Sequence, residues 1–151
     1  MPVSDRGAGS RRSEASRRGS CACGAVRFEL TGPLRPVIAC HCRQCRKMSG
    51  HFTAATEVPE AGLRLLNDAG LRWFASSAQA RRGFCGTCGS ALFFKLNDRH
   101  HVAVFAGALD DADGLTLAGQ IHVEDAAGYY AVPGDLPELD RAAIDALPPQ
   151  G

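Results

Sequence analysis

Seven cysteines in three clusters restrict this chain to folds that bring residue 21 beside residue 85. Cys21 and Cys23 form C-x-C, Cys40, Cys42 and Cys45 form C-x-C-x-x-C, and Cys85 and Cys88 form C-x-x-C. An odd number of thiols cannot all pair as disulfides, and the first residues contain no apolar segment of secretory type. Clustered thiols in a reducing compartment read as metal ligands, so a cytoplasmic location is expected. A closed structural zinc site takes four protein ligands, whereas a catalytic one takes three and keeps a position open. The outer pairs make one closed Cys₄ set. The central three make an open one. Two zincs per chain are expected: a structural ion on Cys21, Cys23, Cys85 and Cys88, and a labile, catalytic ion on Cys40, Cys42 and Cys45.

The chain has 151 residues, 45% of them hydrophobic and 22% charged, which suits one domain with a core of its own. No run approaches the roughly 18 apolar residues that a membrane span needs. The formal charge of +1 conceals a gradient: residues 1–20 carry net +3, residues 21–96 net +6 and residues 97–151 net −8. The basic middle holds every cysteine. Seven thiolates with two Zn²⁺ contribute net −3 there, so much of the Arg/Lys excess balances sulfur. Charge alone therefore gives no reason to expect a nucleic-acid partner.

Residues 1–18 are rich in Arg, Ser and Gly and read as a disordered basic tail. A single zinc domain is expected over residues 19–147. Val26, Phe28 and Leu30 alternate with Arg27 and Glu29, the pattern of a half-buried strand. Further short strands are expected at Pro36–Ala39, Phe52–Val58, Leu63–Leu66, Leu71–Ala75, Gln79–Phe84, Ala91–Leu96, Val102–Leu109 and Ile121–Glu124. In an extended segment residues i and i+2 share a face, so Cys40 and Cys42 reach one ion while His41 faces away. Cys45 returns on a turn or short helix ending at Gly50. Glycines shape the Cys85-Gly86-Thr87-Cys88-Gly89 knuckle. Asp135-Leu136-Pro137-Glu138 reads as a capped helix start, and Leu136, Leu139, Ala143, Ile144 and Leu147 follow at helical spacing until Pro148. The fold class is mainly β, with one short C-terminal helix.

Gly19-Ser20-Cys21-Ala22-Cys23-Gly24-Ala25-Val26-Arg27-Phe28, then Cys40-His41-Cys42-Arg43-Gln44-Cys45-Arg46-Lys47, then Phe84-Cys85-Gly86-Thr87-Cys88-Gly89-Ser90, resembles the GFA family. That family comprises the glutathione-dependent formaldehyde-activating enzyme and the centromere protein V type. The likeness runs over about residues 19–140 and includes all seven cysteines. It implies a zinc-stabilised β-tent of antiparallel sheets, with the two ions divided as above. It also implies a carbon–sulfur lyase that joins glutathione to formaldehyde, giving S-hydroxymethylglutathione. Ala126-Ala127-Gly128-Tyr129-Tyr130 stands where many relatives carry a Trp-bearing stretch.

A small thiol such as glutathione is the partner this chemistry calls for, and Arg46 and Lys47 beside the trio are candidates to hold its carboxylates. Arg43 reads as solvated. His51 has two functional readings, a proton carrier or a fourth ligand closing a Cys₃His site, against a plain surface position. His41, His100 and His101 read as surface residues; Trp73, Phe93 and Phe94 read as core. The alternative function is a non-catalytic zinc-stabilised binding module, supported by the basic tail. A methionine-sulfoxide reductase of the β-tent type would need a redox-active thiol late in the domain, and no cysteine follows Cys88.

Overall fold

The computed structural model describes residues 16–150. Ten strands form two sheets. The smaller has the order β1-β2-β5, from β1 (Arg17–Ser20), β2 (Arg27–Leu30) and β5 (Leu63–Asn67). The larger has the order β10-β3-β4-β9-β8-β7-β6, from β3 (Val37–Cys40), β4 (Thr53–Pro59), β6 (Leu71–Ala75), β7 (Ala80–Cys85), β8 (Ala91–Leu96), β9 (His101–Phe105) and β10 (Leu117–Ile121). Every pairing is antiparallel except β10 on β3, which is parallel. The mainly β expectation thus holds, with one parallel edge added. No helix among the described residues is long and apolar enough to cross a membrane.

Period-two alternation gives the large sheet two different faces. Phe93 of β8, Val102 and Val104 of β9 and Val58 of β4 point to one side and are buried, and Leu92 joins them in the core at the irregularity between β7 and β8, where the alternation breaks. There they meet Phe28 and Leu30 of the small sheet, and the Phe28 and Phe93 rings pack edge to face with centroids 5.0 Å apart. On the other face Ala55 and Ala103 leave a trough between Ile38, Phe94 and Phe105. The core therefore lies between the sheets, and the opposite face is open for a ligand.

Three sequence expectations are corrected. β1 begins at Arg17, inside the segment read as tail; the rest of that tail, residues 1–15, lies outside the described residues. Ile121–Glu124 is not a strand: β10 ends at Ile121, and Val123–Asp125 is a 3₁₀ turn entered through His122 at φ 57°. The C-terminal helix α2 spans only Arg141–Asp145 and is capped by Asp140, not Asp135. Residues 137–139 instead run along the outer edge of β10. The Gln120 N–H donates to the Pro137 carbonyl at 3.0 Å, and the Leu139 N–H donates to the Gln120 carbonyl at 2.9 Å. Those backbone groups are spent on the sheet and cannot close helical turns. Gly119 permits the approach, because a methyl there would collide with Leu139.

Phe28 is fully buried and joins the two sheets. Phe28→Ala is expected to cost about 3–5 kcal/mol of stability, measurable as a lowered midpoint of urea unfolding.

Candidate metal centre and cavity

The two ends of the chain's cysteine pattern do meet. Cys21 follows β1, and Cys85 closes β7, yet Cys23 Sγ lies 3.6 Å from Cys21 Sγ and 3.8 Å from Cys85 Sγ. Cys88 completes the group. Four sulfurs around an ion at the usual Zn–S length of about 2.3 Å stand about 3.8 Å apart, so the separations fit a tetrahedral thiolate site. The turns that aim these sulfurs use Gly24 and Gly89 at φ 81° and 82°. The Ser90 hydroxyl ties the halves together: its oxygen accepts from the Ala22 N–H at 2.9 Å and lies 3.2 Å from Cys88 Sγ. Its side-chain hydrogen bond, joined by the Ser90 backbone, lowers the Cys88 thiol to about 5.

The second group is built where β3 passes into the short helix α1 (Arg43–Ser49). Cys40 is the last residue of β3. Cys42 is the N-cap of α1, its sulfur accepting from the Cys45 N–H at 3.3 Å. Cys45 sits buried in the first turn, and the helix ends at Gly50 in the left-handed region. The three ligand atoms lie within 4.8 Å of one another and can hold a metal ion. The side-chain hydrogen bond with Cys40 lowers the Cys45 thiol to about 4, against the opposing effect of burial, with help from Thr53, Cys42 and Arg82. Cys40 moves the other way, raised by that same bond and by burial.

Arg82 stands directly behind Cys45. Its Nη1 and Nη2 are each 3.7 Å from Cys45 Sγ, Nη2 donates to Gln44 Oε1 at 3.1 Å, and the guanidinium lies 5.0 Å from the centre of the Phe94 ring. The residue is 5% exposed. Its sequence signal is faint: in Arg81-Arg82 strand alternation turns one arginine inward, but nothing local says which.

The trio opens onto a cavity of about 670 Å³ running over the trough of the large sheet. Arg82, Arg35, Arg99 and Arg141 line it, the last from α2. At the far end Arg35 faces Glu57 at 3.7 Å, while Arg99 and Arg141 share Asp145 Oδ1 at 3.3 and 3.6 Å. Three arginines there meet two carboxylates. Arg46 and Lys47 do not line the cavity; Arg46 Nη1 donates instead to the Asp125 carbonyl at 3.1 Å.

Of the histidines read as surface residues, His100 is exposed as expected, whereas His41 and His101 are not. His41 is 1% exposed, with Nε2 3.0 Å from Gln120 Oε1 and Nδ1 bonded to the Tyr130 hydroxyl. Gln120 Nε2 donates to the carbonyls of Pro133 and Leu136 at 2.8 and 3.0 Å, so Oε1 is left to accept from His41 Nε2–H. In the neutral ring Nδ1 then accepts from Tyr130. His51 Nδ1 is 2.7 Å from the Tyr129 hydroxyl, and the thiol trio includes no histidine. His101 lines the cavity. Phe93 is core as expected, but Phe94 lines the cavity and Trp73 is 41% exposed under the Arg81 guanidinium.

These features coincide with known proteins. Residues 16–125 match the family described as glutathione-dependent formaldehyde-activating enzyme, and the chain belongs to that family. It is 26% identical over 114 residues to an uncharacterized lyase of Schizosaccharomyces pombe, covering 74% of this chain and 82% of that one. A crystal structure of a Rhodobacter sphaeroides protein shares the fold, with a TM-score of 0.56, 21% identity, and coverage of 81% of this chain and 99% of that one.

A metal held by all three thiols must displace the proton of Cys40, whose pKa is raised. Metal affinity of the trio is therefore expected to rise with pH, protons leaving as the ion enters. Competition against a chromophoric chelator at several pH values checks the sign.

Proposed function

We propose that this chain is a zinc-dependent lyase of the carbon–sulfur type, joining a thiol to an aldehyde, with glutathione and formaldehyde as the pair to test first. The observation that carries this reading is three metal-competent thiols, with no fourth side-chain ligand grouped with them among the described residues, at one end of a 670 Å³ cavity with an excess of arginine at the other. Family membership and the lyase name of the fungal relative support it. The four-thiol group takes a structural zinc in this reading and the trio a labile one. A zinc in the trio supplies a soft Lewis-acid position that favours a thiolate over a thiol. In the net reaction a C–S bond forms, the carbonyl becomes a hydroxyl, and the thiol proton goes to its oxygen without redox change.

The chain's own residues bind and orient. A volume near 670 Å³ is within the range of small-molecule sites and accommodates a peptide-sized thiol. Arg99 and Arg141, sharing a single carboxylate, hold the substrate's anionic end. Apolar Ile38, Phe94 and Phe105 line the trough and limit water near the reacting carbon. Arg46 and Lys47 stay candidates only for a substrate that extends out of the cavity.

Two measurements test the division of labour. Cys85→Ser is expected to abolish cooperative folding, because the four-thiol group joins segments 62 positions apart. Cys42→Ser is expected to keep one zinc and a cooperative melt while losing thiol-dependent turnover. Equal destabilisation by both variants, with no activity on any thiol–aldehyde pair, would replace the enzyme reading with a zinc-stabilised binding module. Arg141→Gln should raise KM for glutathione about tenfold, equivalent to about 1.4 kcal/mol, while KM for 2-mercaptoethanol, which lacks carboxylates, is unchanged.

A further inference from the structure

A buried guanidinium needs a counter-charge, and Arg82 finds it in sulfur. At 5% exposure its desolvation is close to complete, and an unpaired charge in such a place is strongly destabilising. Among the described residues it makes no ion pair with Asp or Glu. Both terminal nitrogens instead face Cys45 Sγ, Gln44 Oε1 takes one further hydrogen bond, and the Phe94 ring covers the guanidinium. Nε is buried without a partner, so the planar group is committed to Cys45 at the expense of one of its own donors. A residue placed only for packing has no reason to hold that geometry.

The charge balance explains the placement. Three thiolates around a divalent ion would carry net −1, and an anionic fourth ligand would take this to −2, beside a buried guanidinium. We infer that Arg82 is a positioning residue that holds the Cys45 sulfur and cancels this residual charge, so that the open position accepts an anionic thiol rather than a neutral donor. The inference rests on the reading of the trio as a metal site. It adds a ligand preference that the three cysteines alone do not provide, since an incoming thiolate is repelled by three sulfurs and attracted by one fixed cation.

The test uses the full chain loaded with Co²⁺, whose visible bands report the ligands around it. Wild type, Arg82→Met and Arg82→Lys are titrated with 2-mercaptoethanol and, separately, with imidazole. Arg82→Met should need about tenfold more mercaptoethanol to reach half-saturation, with imidazole binding unchanged. Arg82→Lys restores the charge without the planar fork and should recover part of the difference. Equal mercaptoethanol binding in wild type and Arg82→Met overturns the inference, as does an equal loss for both ligands, which would mean general damage to the site. If Arg82→Met fails to fold, the comparison rests on Arg82→Lys: weaker thiol binding with unchanged imidazole binding supports the inference, and wild-type binding of both overturns it. A wild-type chain that takes up a single Co²⁺ removes the second site, and the proposed function with it. Two Co²⁺ with unchanged thiol selectivity in the variants remove only the role of Arg82.

Discussion

The junction of Cys21 and Cys23 with Cys85 and Cys88 is the contact on which the rest of the domain depends. The first pair leaves the small sheet and the second leaves the large one, so an ion held by all four sulfurs would clamp the two layers at one end. Between the clamped layers, Phe28 and Phe93 fill the interior. Short strands such as the four-residue β1 and β2 offer only a few ladder hydrogen bonds and little apolar surface to hold them in place. A metal cross-link between these distant segments would remove much of the chain entropy that opposes this. With the inner face of the large sheet fixed in this way, its outer face need not be covered, and the cavity occupies it.

The metal-competent trio sits at the edge of that outer face, where β3 becomes α1. A strand supplies Cys40 and a helix N-cap supplies Cys42, so two backbone geometries converge within three residues. His41, pointing the opposite way, is fastened through Gln120 to the carbonyls of Pro133 and Leu136. The loop bearing the thiols is thus held from behind by the C-terminal segment, while Arg82 braces it from the cavity side. Positioning of this kind, by groups outside the ligand set, would keep the three sulfurs ready for an ion.

Much of this was legible from the sequence because thiol spacing and strand alternation are local patterns. Both cysteine groups, most of the strands and the Gly50 helix stop follow from such patterns. What was hidden depends on pairing between distant segments. Leu136, Leu139 and Ile144 have helical spacing, yet hydrogen bonds to Gln120 draw residues 137–139 into an extended path. His41 looked peripheral because its neighbours reveal one face of the strand and not what packs on the other. Arg82 could not be separated from Arg81 without knowing that β7 lies across from α1. Arg46 and Lys47, close to the thiols in sequence, point away from the cavity because helix rotation governs direction there.

The boundary at residue 125 divides the cavity wall but not the thiols. All seven thiols and Arg82 lie inside the stretch that matches the family, whereas Arg141 and Ile144, which line the far wall of the cavity, come after it. The metal-competent thiols thus lie wholly inside the matched stretch, whereas the cavity wall is shared, Ile38, Phe94 and Arg99 belonging to it and Arg141 and Ile144 following it. A change among the 26 residues after position 125 would reshape the far wall of the cavity while leaving every sulfur in place.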